Sequence, residues 1–145
     1  MQEVNDGPRW MLRLDDGDDL FAELRAFSTR QHVRAASVVE GIGLLKDAEV
    51  GYWDGRQYVP KRLTVPHELV GLHGSIAEAD GAPSIHLHAA LADPEHRLVG
   101  GHLLRGVVGV LAEVFVVAFP DRVFGRPLDE TFGLRRLDLE PGPST

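Results

Sequence analysis

The run Val107-Val-Gly-Val-Leu-Ala-Glu-Val-Phe-Val-Val-Ala-Phe119 constrains the fold more than any other stretch of the chain. Its β-branched and aromatic residues favour extended backbone, on which successive side chains alternate between two faces. Here both faces are apolar, so both need cover, which in a domain this small points to a contact between subunits. Glu113 is the one charged residue in the run. A carboxylate buried without a partner is costly. Glu113 is therefore expected to pair with a cation such as Arg105, to sit on the rim of a bend, or to act as a proton-shuttling group in a site.

Much of the remaining sequence also reads as strand. Extended segments are expected at 35–39, 48–53, 58–59, 63–65, 68–76, 84–91 and 102–105, with Asp54-Gly55 as a hairpin signal and turns at 79–83, Asp93-Pro94 and Gly100-Gly101. Before them, Leu20, Phe21, Leu24 and Phe27 follow one face of a helix. The acidic run Asp15–Asp19 is suited to that helix's start, where carboxylates accept free backbone N–H groups and meet the positive end of the helix dipole. It lacks the twelve-residue pattern and closing glutamate of a calcium loop. The expected architecture is α+β: a bent, mainly antiparallel sheet or open barrel with one or two helices. Residues 1–9 are expected as a flexible lead-in, 10–139 as a single domain and 140–145 as a disordered tail.

At 145 residues the chain has the size of one domain. No apolar run reaches the ~18 residues of a membrane span and no signal-like segment opens the chain, so a soluble cytoplasmic protein is expected. There is no cysteine. Disulfides and thiolate chemistry are excluded, and a bound metal must rely on nitrogen and oxygen. The formal net charge of -7 opposes autonomous binding to nucleic acid, whose affinity for proteins comes largely from lysine and arginine on phosphates. Neither Gly41-Ile-Gly43 nor Gly71-Leu-His-Gly-Ser75 carries the glycine pattern of a dinucleotide loop or a nucleophile elbow.

The chemistry that stands out is histidine. His86 and His88 lie two apart in an apolar alternation, which puts both rings on one face of a strand. A chain reversal through Asp93-Pro94 and Gly100-Gly101 would bring His102 beside them on a neighbouring strand. Three imidazoles at one vertex would hold a divalent ion, with zinc first in expectation, and leave a coordination position for water, an anion or a small-molecule substrate. The alternative is ordinary hydrogen bonding of each ring to a backbone carbonyl or to Glu113. His32, His67, His73 and His96 lack comparable neighbours and are expected at the surface or in ordinary hydrogen bonds.

Glu40-Gly-Ile-Gly43, the strand Glu68–Ile76, Ile85-His-Leu-His-Ala89, Val99-Gly-Gly-His-Leu103 with Gly106, and Ala112-Glu-Val114 occur in an order and spacing that resembles the plants and prokaryotes conserved (PPC) domain. The resemblance implies an α+β subunit that assembles as a homotrimer, in a family whose stand-alone members are commonly labelled DNA-binding. The plant relatives bind A·T-rich minor grooves through a separate basic arm centred on Arg-Gly-Arg-Pro. Phe124-Gly-Arg-Pro127 lacks the first arginine of that arm, which weighs against DNA as a partner here. The histidines stand as in many prokaryotic members, which supports a metal at His86, His88 and His102. Two functional classes follow: a trimeric interaction module with a bound metal, or a metal-dependent enzyme in which Glu113 would shuttle a proton.

Overall fold

Helix α1 (Leu20–Arg30) starts where the acidic run ends: Asp19 is extended, and its side chain accepts a hydrogen bond from the Ala22 N–H at 3.0 Å. Leu20, Leu24 and Phe27 are fully buried. Each contributes roughly 1.5–3 kcal/mol by leaving water. The Phe27 ring also meets Trp10 edge to face at 5.1 Å, tying the helix to the first strands.

The computed structural model describes residues 1–140. In chain order its strands are β1 (Gln2–Asp6), β2 (Arg9–Asp15), β3 (Ala36–Trp53), β4 (Tyr58–Leu63), β5 (His67–Ala79), β6 (Ala82–Ala92) and β7 (Leu98–Ala118), followed by the short pair β8 (Leu128–Asp129) and β9 (Leu134–Arg135). The large sheet runs β1-β2-β7-β6-β5-β3-β4, and β7 pairs back onto β3, so β3, β5, β6 and β7 close on themselves. Pairing between the named strands is antiparallel throughout. With α1 the one helix among the described residues, the chain is α+β and mainly antiparallel. No helix among the described residues is long and apolar enough to cross a membrane.

Three sequence-based expectations are corrected. The lead-in is a strand: residues 2–6 pair residue by residue with β2, despite a polar composition that carries no inward face. The segments expected at 35–39 and 48–53 are two ends of β3, and those at 102–105 and 107–119 belong to β7. Register shifts along the β3–β7 pairing mark bulges that bend the two strands without ending them. Gly100-Gly101 is likewise inside β7 and makes no turn; the reversal is complete at Asp93–Arg97, where Asp93 gathers the backbone N–H groups of Glu95 and Arg97. Residues 141–145, most of the expected tail, lie outside the described residues.

The β7 run is covered on one face by core: Val108, Ala112, Val114 and Val116 are fully buried. The other face is open at Leu111 and Glu113, and Val110, in the irregular stretch between Val108 and Ala112 with φ of 64°, is exposed as well.

Candidate metal centre

The three histidines converge through strand pairing. His88 of β6 lies directly opposite His102 of β7, and His86 follows two residues before His88 on the same face. Ring centroids are 5.1 Å apart for His86 and His88, 4.9 Å for His86 and His102, and 5.3 Å for His88 and His102. One nitrogen from each ring can be chosen so that all three lie within 4.8 Å of one another. Bonds of ~2.0–2.1 Å to a shared ion would need these nitrogens closer.

Close backbone approach makes this vertex possible. A Cβ on Gly74 would overlap the His86 carbonyl oxygen, and one on Gly100 would overlap the Ala89 carbonyl oxygen. At Gly101, φ is 152° and a Cβ would press on the Gly51 carbonyl oxygen at 2.8 Å. Glycine at these positions lets β5, β6, β7 and β3 draw together around the histidines. His102 is held further by the Tyr58 ring from β4, stacked on it at 4.3 Å.

Burial and bonding single the site out. His86 Nε2, His102 Nδ1 and Arg126 Nε are buried with no hydrogen-bond partner, and among the described residues no other side-chain polar atom is in that condition. Folded chains rarely leave such atoms unsatisfied, because each forfeits its bonds to water. Two of the three are imidazole nitrogens, which are lone-pair donors to a metal when deprotonated. Burial lowers the His86 pKa to about 4, with the charges of Arg126, His102 and His88 adding to the effect. Burial also lowers His102, helped by His88 and Arg126. Both rings are thus kept neutral near pH 7, the form that binds metal. His88 is exposed and opens the vertex to solvent. The donor set therefore fits a divalent ion.

The other expected groups are elsewhere. Glu113 is exposed on β7, opposite Arg13 of β2 and Ile42 of β3, and about 35 Å of strand path separates it from His102. Within one chain it neither joins the histidines nor pairs with Arg105, which donates instead to Asp47 at 2.8 Å. His67 Nδ1 and His73 Nδ1 pair with the Val65 and Val39 carbonyls, both at 2.7 Å. His32 and His96 sit at exposed turn positions with φ of 53° and 62°.

Arg126, absent from the sequence-based site, is the residue that reasoning missed. It is 5% exposed, and its Nη2 donates to Ser75 Oγ at 2.8 Å. Ser75 lies opposite His86 in the β5–β6 ladder, so the guanidinium arrives at the same vertex from the C-terminal segment. In sequence the string Phe124-Gly-Arg-Pro127 shows only an incomplete likeness to a minor-groove arm.

Comparison with known proteins supports the family. A metal-containing protein from Archaeoglobus fulgidus is 33% identical, with a TM-score of 0.81 over 88% of this chain and 91% of that one. A candidate DNA-binding protein from Ralstonia eutropha is 29% identical, with a TM-score of 0.86 over 95% and 96% of the two chains. The bifunctional protein GlmU of a Synechococcus strain is 32% identical over 90% of this chain, which spans 20% of that protein's length. The model of the Plants and Prokaryotes Conserved (PCC) domain matches residues 1–120. This chain belongs to the Plants and Prokaryotes Conserved domain family, the PPC domain of the sequence resemblance.

Proposed function

We propose that this protein is a homotrimeric divalent-metal-binding member of its family, with His86, His88 and His102 as the ligands and zinc as the first candidate ion. The observation that carries the metal reading is the pair of buried, partnerless imidazole nitrogens on His86 and His102 beside the third ring. The Archaeoglobus relative, described as metal-containing, supports it. Neutral imidazole also accepts nickel, copper and iron, so the ligand set favours a class of ions over a single one. The trimer draws support from exposed apolar residues on the central strands, Val39 and Ile42 on β3, Val70 on β5 and Val110 on β7, which a second copy would cover.

Access through His88 favours an exchangeable or reactive site over a closed structural one. A divalent ion bound there would supply Lewis-acid polarisation of an oxygen ligand. The protein's own part is to hold His86 and His102 neutral by burial and to fix their directions through the β6–β7 ladder and the Tyr58 stack. This is the basis of an enzymatic reading in which a small molecule takes the open position.

DNA is the weaker partner. The Ralstonia relative is named for it, yet a net charge of -7 opposes it. The test of the metal reading is elemental analysis of protein purified without a histidine tag. About one ion per chain is expected, with a trimeric mass in sedimentation equilibrium; a metal-free preparation that takes up no zinc, nickel, copper or iron would refute it. Binding to an A·T-rich duplex at low ionic strength, weakening steeply with salt, would restore the DNA reading.

A further inference from the structure

Among the described residues Arg126 is a cation without a counter-charge. Burial lowers its pKa, and no neighbouring carboxylate opposes that effect. Among the described residues no acidic group lies within ion-pair distance, whereas Arg30, Arg34, Arg97, Arg105 and Arg135 each reach one. Its single side-chain hydrogen bond goes to Ser75, a neutral hydroxyl, and Nε has no partner. The backbone carbonyl of Arg126 accepts from Arg135 Nη1 at 3.0 Å, which anchors the residue from behind. A buried guanidinium is a fixed fork of N–H donors, matched in shape to two oxygens of a carboxylate or phosphate.

We propose that Arg126 is the anion-anchoring residue of the histidine vertex, and that the site's ligand is a small molecule carrying an oxyanion group, carboxylate or phosphate. The inference rests on the metal reading for one half of the site and on Arg126 alone for the other. An oxyanion answers both halves together: one oxygen suits a cation held by imidazoles, and another suits the free N–H of Arg126. A neutral ligand would leave the guanidinium unpaired. Ser75, bonded to Arg126 and set opposite His86, is the positioning residue that aims the fork at the vertex.

The test is calorimetric titration of inorganic phosphate, and separately of acetate, into full-length protein in zinc-loaded and chelator-treated forms. Wild type is expected to bind at least one of the two anions. Arg126→Gln should weaken that binding tenfold or more, and Arg126→Lys, which keeps charge but loses the fork, by a smaller factor. Tighter phosphate identifies a phosphate-bearing ligand; tighter acetate identifies a carboxylate. If wild type binds neither anion, or if a folded Arg126→Gln binds with unchanged affinity, the proposal is wrong. The proposal also fails if the Arg126 variants change only the oligomeric mass, since the guanidinium would then answer a second copy of the chain. Should Arg126→Gln not fold, by circular dichroism, wild type and Arg126→Lys decide. The two readings separate cleanly: one zinc per chain with no anion binding sinks the Arg126 role alone, and Arg126-dependent anion binding in protein that takes up no metal sinks the metal alone.

Discussion

Two arginines reach side chains on β5 only three residues apart and meet opposite circumstances. Arg34 is exposed, and its fork is filled: Nε and Nη2 donate to the two carboxylate oxygens of Glu78 at 2.6 and 2.8 Å. Arg126 is buried, and its fork meets one serine. Stability alone would favour the reverse, because an exposed pair contributes little and a buried unpaired charge costs much. Pairing is thus complete where water could have served and incomplete where water is excluded. A chain that satisfies its rim and leaves its one vertex unsatisfied has shaped that vertex for something outside itself.

The largest effect should come from removing the unsatisfied side of the contrast. His86→Ala with His88→Ala should take bound metal from about one ion per chain to background by elemental analysis, while sedimentation still shows the native assembly. If the assembly dissociates with the metal, the vertex is structural. Next is Gly74→Ala, whose added Cβ collides with the His86 carbonyl. Urea denaturation should show a loss of about 2–3 kcal/mol, in the range for forced overpacking; a loss under about 0.5 kcal/mol would mean that β5 and β6 need not approach so closely.

A third comparison uses pH. Burial holds His86 at about 4 against an ordinary 6.5, so the unfolded chain takes up a proton at higher pH than the folded one. Its contribution to stability is complete above pH 6.5 and is lost as pH falls toward 4. Metal-free protein should therefore weaken through that window, and His86→Gln should flatten the slope; parallel pH profiles for the two would contradict the burial described. The smallest effect belongs to the filled fork. The Arg34 guanidinium lowers the Glu78 pKa, so that pair's contribution is present above the ordinary value of 4.5 and lost as pH falls below it. Glu78→Gln should cost under about 1 kcal/mol, less still in high salt; a larger loss would erase the contrast between rim and vertex.

How much of this was legible in sequence follows from what each signal depends on. The co-facial pair His86 and His88 needs only the two-residue period of a strand, and α1 only a four-residue apolar stripe with acids before it. Strand lengths were less legible, because glycine marks a turn and a close backbone approach with the same letter. At Gly100-Gly101 and Gly43 it is the second: a Cβ at Gly43 would overlap the Leu111 carbonyl oxygen of the facing strand. Strand β1 was invisible because its faces are polar and only pairing with β2 defines it. The place of Glu113 is not legible in sequence, since composition says that a run is apolar but not which face the chain leaves open. Arg126 sits in irregular backbone, where no period announces a direction, and only the folded arrangement shows what surrounds it.

One consequence lies in the way His102 is shared. It stands opposite His88 of β6 and opposite Gly51 of β3, at the place where β7 passes from one neighbour to the other. A slip of β7 by a single residue would turn His102 to the far side of the sheet and leave only two histidines at the vertex. Uptake of an ion would then serve as a proofreader of the finished barrel, since a chain that closes one step out of alignment would have no third hand with which to hold it.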